Sequence, residues 1–114
     1  MVEISNTLMQ EIVSRIVHKA NPQQVILFGS RARGDARPES DLDLLVVAED
    51  TRSRTARASE LYGILSDIPI AMDILVYQPA EIHEWSDVPQ AFVTTAVREG
   101  RLLYENRSGI AFDA

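Results

Sequence analysis

Apolar residues at the start of the chain recur at helical spacing. Ile4, Leu8, Ile12 and Ile16 follow at four-residue intervals, and Met9, Val13 and Val17 widen the stripe. Such a stripe predicts an amphipathic helix, ending near Asn21-Pro22. The rhythm then changes: Val25–Phe28 and Leu42–Ala48 are short apolar runs, the first halted by Gly29, and both predict buried strands. A polar turn around Glu49-Asp50-Thr51 follows. Ala58, Leu61, Tyr62, Leu65 and Ile68 then return to helical spacing and predict a helix over Ser53–Asp67. Ile70–Tyr77 predicts a third strand, apolar and β-branched except at Asp73. Pro79 suits the first turn of a short helix through Trp85. Pro89 opens another helix, with Phe92, Val93, Ala96 and Val97 on one face and Gly100 as its stop, and Leu102–Glu105 predicts an edge strand.

No repeat or linker interrupts this order, so the elements predict a single α/β (α+β) domain over residues 1–105, followed by a tail over 106–114 expected to be flexible. A chain of 114 residues suits one core. Apolar content of 46% and charged content of 25% are those of a soluble globular protein. No apolar run nears the ~20 residues of a membrane span, and the acidic start MVEISNTLMQE is unlike a secretory signal. The lack of cysteine excludes disulfides and thiolate metal sites. A cytoplasmic protein without a membrane partner is the expectation. With 17 acidic and 11 basic residues the net charge is −6, which argues against direct nucleic-acid binding, because neutralising phosphates needs a basic face. Arg31, Arg33 and Arg37 run against that balance and predict a small basic pocket.

The candidate chemistry lies in LFGSRARGDARPESDLDLLVV, Leu27–Val47. Asp41 and Asp43 enter an apolar strand at i and i+2, so they point to the same side. Asp73 has apolar neighbours on both sides within the third strand. If the second and third strands are neighbours, one register gathers all three acids. Clustered carboxylates stay ionised only beside a cation, and an oxygen-only donor set suits Mg2+ or Mn2+. On the acids alone the alternatives stay open: turn or capping roles for Asp41 and Asp43, and arginine pairing for Asp73.

The Gly-Ser turn adds to the metal reading. Gly29, directly after a strand, lets backbone N–H groups approach a phosphate, and Ser30 offers a hydroxyl. Gly29 to Gly34 has the G-x-x-x-x-G spacing, but Asp35-Ala36 stands where a Walker A loop needs Lys and Ser/Thr.

Gly29-Ser30, ten residues, then Asp41-Leu42-Asp43 resembles the signature of DNA polymerase β-like nucleotidyltransferases. The fuller FGSRARGDARPESDLDLLV is similar to the minimal nucleotidyltransferase (MNT) group, whose members act as antitoxins to HEPN-domain ribonucleases. The resemblance implies a short mixed β-sheet flanked by helices. It implies that Gly29 and Ser30, with Arg31, Arg33 and Ser40, bind the nucleotide. Asp41, Asp43 and Asp73 would hold two Mg2+ ions (or Mn2+) and carry catalysis, and Asp73 would also help deprotonate the acceptor. It further implies ATP as substrate, transfer of AMP to a tyrosine of a HEPN ribonuclease toxin, and a hetero-oligomer with that toxin. Larger relatives add a helical domain that walls the acceptor pocket, so here another chain is expected to complete it. The alternatives are a non-catalytic antitoxin that occludes the toxin, and a small-molecule nucleotidyltransferase completed by dimerisation.

Other positions carry less. His18 near the end of the first helix suits the helix dipole. His83 and Trp85 predict a small cluster beneath a loop, with a partner surface as the alternative. Arg52, Arg54 and Arg57 predict a solvated helix face, with a partner or phosphate contact as the alternative because basic residues oppose the dipole at a helix start. Tyr62, Tyr77 and Tyr104 are expected to pack.

Overall fold

The computed structural model describes residues 4–37, 39–87 and 91–106, without the side chain of Phe92. Helix α1 (Asn6–Ala20) begins where the Ser5 hydroxyl accepts the Leu8 N–H at 3.1 Å. It ends where Asn21 turns left-handed and donates its N–H to the Val17 carbonyl. Strand β1 (Gln24–Phe28), one-turn helix α2 (Ser30–Arg33) and strand β2 (Leu42–Val47) follow. Helix α3 (Arg54–Ile64), strand β3 (Met72–Tyr77), helices α4 (Pro79–Glu84) and α5 (Phe92–Glu99), and strand β4 (Arg101–Glu105) complete the order.

The sheet order is β3-β2-β1-β4, with β2 and β3 parallel and the other pairs antiparallel. Parallel neighbours require a crossover, and α3 supplies it. This is the short mixed sheet flanked by helices that the family resemblance implies. Alternation sorts each strand onto two faces. Val25, Leu27, Leu42, Leu44, Val46, Ile74 and Val76 join Ile12 and Ile16 of α1 and Leu61 of α3 in the main core. Ile26, Leu45 and Val47 face the other way and pack with Val93 and Ala96 of α5, with Phe28, Leu75 and Tyr77 at the margin. Asp43 and Asp73 belong to this second face by the same alternation, on its more exposed end.

Several details differ from the sequence expectation. Ser53 caps α3 rather than opening it, its hydroxyl accepting the Ala56 N–H at 3.2 Å. β3 starts two residues late, because Pro69 and a tight turn from Ile70 N–H to the Ile68 carbonyl delay pairing. Arg57 is not on a solvated face: it is 5% exposed. Its guanidinium donates to the Arg52 and Val76 carbonyls at 2.7 and 3.1 Å and to Glu81 at 2.9 Å. Tyr62 is 42% exposed instead of packed in the core, and its hydroxyl accepts the Ile74 N–H at the β3 edge. His83 and Trp85 are exposed rather than sheltered beneath a loop. Gly100 does stop α5, as expected, capping it in an extended conformation at φ −76° with its N–H donated to the Ala96 carbonyl. It is glycine because a Cβ would meet the Ala96 carbonyl oxygen and Ile26 Cγ2 at 2.5 Å. Pro89 and the tail beyond Asn106 lie outside the described residues, and Asn106 itself donates its N–H to the Gln23 carbonyl.

Candidate active site

Antiparallel pairing sets Phe28 opposite Asp43, so the chain leaving β1 passes directly beside that carboxylate. Gly29 makes the passage. Its φ of 76° and ψ of −159° lie in a region essentially reserved for glycine. A Cβ there would overlap Asp43 Oδ2 and stand 3.1 Å from its Cγ. The two halves of the sequence motif therefore touch: Gly29 is open at the place Asp43 occupies.

Ser30 begins α2. The Ala32 and Arg33 N–H groups turn back to the Gly29 carbonyl, both at 3.1 Å, and Gly34, left-handed, closes the turn onto the Ser30 carbonyl. The loop returning to β2 is braced from within. The Ser40 hydroxyl accepts the Arg37 N–H at 2.9 Å, and Arg31 Nη2 donates to the Ser40 carbonyl at 2.7 Å. Arg31 and Ser40 thus tie α2 to the segment just before Asp41. Arg33 is exposed, 3.4 Å from Asp35, and Arg37 is exposed as well.

Asp43 and Asp73 are partners in the parallel register of β2 and β3, and the Leu42 N–H donates to the Ala71 carbonyl at the mouth of that pair. Asp73 stands second in β3 and is exposed, not enclosed among its apolar neighbours as its sequence position suggests. Asp41 is exposed just ahead of β2. Burial pushes the Asp43 pKa up, the negative charges of Asp73 and Asp41 push it further, and Arg33 and Arg31 act against them. The acids share one electrostatic environment yet stand apart: among the described residues no three acidic, histidine or cysteine side chains already converge on one point. Like charges facing one another have no reason to close up on their own.

The donor set nevertheless fits a divalent hard cation. It is all oxygen, it sits on an open end of the sheet, and its innermost member is destabilised as an anion by burial and then by its acidic neighbours, which a dication would offset. Beside Gly29 a hollow of about 260 Å3, lined by Phe28, Arg33, Thr95, Ala96, Glu99 and Gly100, lies between β1 and α5. No described helix is long and apolar enough to cross a membrane.

Residues 10–108 match the family described as Polymerase beta, Nucleotidyltransferase. The chain belongs to that family. Among solved structures, a protein of Sulfolobus solfataricus provisionally assigned as a nucleotidyltransferase aligns at a TM-score of 0.63 and 24% identity, over 89% of this chain and 80% of that one. A toxin–antitoxin structure with AMP-PNP aligns at 0.57 and 20%, over 90% and 78%. The MntA–HepT toxin–antitoxin aligns at 0.51 and 20%, over 90% and 74%. At these identities the likeness is one of fold. No curated protein matches the chain.

The sequence expectation of a solvated face missed the buried role of Arg57. The signal was present: Arg57, Leu61 and Leu65 share a four-residue stripe, so the arginine falls on the buried side of α3.

Proposed function

We propose that this nucleotidyltransferase is an Mg2+-dependent protein adenylyltransferase of the minimal type, an antitoxin that transfers AMP from ATP to a tyrosine of a partner HEPN ribonuclease. The observation that carries the reading is the contact of Gly29 with Asp43, itself paired in register with Asp73 on the open face. That arrangement puts the Gly29-Ser30 turn and a carboxylate pair side by side. Family membership and the fold shared with toxin–antitoxin structures support it.

In this reading Gly29 and Ser30 hold the β- and γ-phosphates, and Asp41, Asp43 and Asp73 hold the metal. Bound Mg2+ would supply positive charge to offset the charge that builds on the phosphate oxygens. The tyrosine oxygen forms a bond to the α-phosphorus as the bond to the bridging oxygen breaks, and pyrophosphate leaves. Asp73, exposed at the edge of the sheet, accepts the hydroxyl proton. Arg31 and Ser40 act through the loop, fixing where Asp41 enters β2. An adenylate on the toxin adds negative charge and bulk where RNA must bind, which accounts for neutralisation.

The test is direct. The protein, ATP, Mg2+ and the HEPN partner are incubated, and pyrophosphate release is followed for wild type and Asp43→Asn. Release that needs the partner and vanishes in the variant supports the reading. Equal release by the variant refutes the role of the carboxylates.

A further inference from the structure

A second hollow opens on the same face of the sheet as the carboxylates. It measures about 240 Å3 and is lined by Arg54, Tyr77, Trp85, Ala91 and Val93. Asp73, Leu75 and Tyr77 alternate onto this face, so a line of side chains runs from the carboxylate end of β3 to the hollow. At ~3.3 Å per residue the hollow lies about 13 Å from Asp73. Leu75 and Tyr77 are only half-buried, and Trp85, the single tryptophan, is 42% exposed. The Arg54 guanidinium lies over the Tyr77 ring, 4.4 Å from its centroid.

We infer that this hollow is the docking subsite for the acceptor polypeptide, and that it takes an apolar or aromatic side chain about four residues from the modified hydroxyl. The identity of the acceptor rests on the adenylyltransferase reading above; the docking site rests on the surface itself. Trp, Tyr and Arg are the residues that concentrate binding energy at protein interfaces, and here all three surround one apolar recess. The nucleoside end of the substrate is the rival occupant, and varying ATP and partner separately tells the two apart. Tyr77 lies four residues past Asp73 on β3, at the side of the sheet away from Gly29-Ser30. The β3 edge is no alternative for a partner strand, because the Tyr62 hydroxyl already takes the Ile74 N–H. Arg54 is half-exposed and reaches Glu81 only at 3.9 Å, so an acceptor carboxylate beside the anchor side chain complements it. An extended segment rises at the same ~3.3 Å per residue as β3, which sets the four-residue spacing.

Arg54→Ala and Trp85→Ala alter exposed side chains outside the catalytic set. With the HEPN partner and ATP varied in turn, both variants should raise KM for the partner roughly tenfold and leave kcat and KM for ATP within about twofold. A rise in KM for ATP instead would make the hollow a base subsite and overturn the inference. So would unchanged kinetics. Partner affinity is also measured calorimetrically without ATP, where each variant should bind about tenfold more weakly. If wild type transfers no AMP, the adenylyltransferase reading fails, and the calorimetric arm still decides: weakened binding upholds the docking site, and equal binding overturns it.

Discussion

Replacing Gly29 by alanine perturbs the site in two separable ways. The backbone at φ 76° and ψ −159° is one that a Cβ-bearing residue adopts only under strain, at about 1–3 kcal/mol. The new methyl would also stand where Asp43 Oδ2 now lies, so either the carboxylate swings away or the turn moves. Gly34 provides the control. It is left-handed too, at φ 85°, but a Cβ there meets nothing within 4 Å. Gly34→Ala therefore carries strain alone, about 1 kcal/mol. In a domain of this size 1 kcal/mol lowers Tm by roughly 4 °C. Gly34→Ala should drop Tm by about that much, and Gly29→Ala by about 4–12 °C. Only Gly29→Ala should lose divalent-ion binding, measured by Mn2+ paramagnetic titration at a temperature where both variants are folded. If Gly29→Ala binds Mn2+ as well as Gly34→Ala does, the contact with Asp43 does not shape the metal site and the reasoning fails.

Other consequences follow from the charges. Burial, then the charges of Asp73 and Asp41, disfavour the Asp43 anion, so Asp43→Asn should raise the metal-free Tm and remove the Tm gain expected of wild type in Mg2+; a variant less stable than wild type without metal would contradict this. Arg57→Ala leaves two carbonyls and Glu81 without their buried donor and should cost about 3 kcal/mol in denaturant unfolding; a loss under about 1 kcal/mol would show the network to be dispensable. The Arg52 hydrogen bonds hold Asp50 down to about 2, below its usual 3.8. A depressed carboxylate stabilises the fold above its unfolded pKa, and that contribution is lost as pH falls through 3.8 toward 2. Asp50→Asn should therefore flatten the acid limb of a stability-versus-pH curve, by about 1 kcal/mol or less for so exposed a pair; an unchanged limb would assign acid sensitivity elsewhere.

The strands and helices were legible because their burial follows simple periods. Leu42, Leu44 and Val46 face one core and Leu45 and Val47 the other, so β2 reads as an apolar run. The boundaries were less legible where capping decided them, as at Ser53, or where a turn delayed pairing, as before Met72. Alternation gave the shared side of Asp41 and Asp43, but not that Asp73 faces Asp43, since register belongs to the pairing of strands far apart in sequence. The reason for Gly29 was hidden too. Local sequence suggests room for a phosphate, whereas the space is shared with Asp43 from the neighbouring strand. Tyr62 sits on the apolar stripe of α3 by spacing, yet its hydroxyl is drawn to an edge N–H that only the assembled sheet presents.

In the proposed reaction Gly29, Ser30 and the three carboxylates move AMP onto a protein. Intact mass spectrometry of the HEPN partner, after incubation with this protein, ATP and Mg2+, tests it most directly. A gain of one or more AMP units on a partner tyrosine, absent with Asp43→Asn, is the expected result. An unchanged partner mass despite a formed complex, or equal gain with Asp43→Asn, would contradict it.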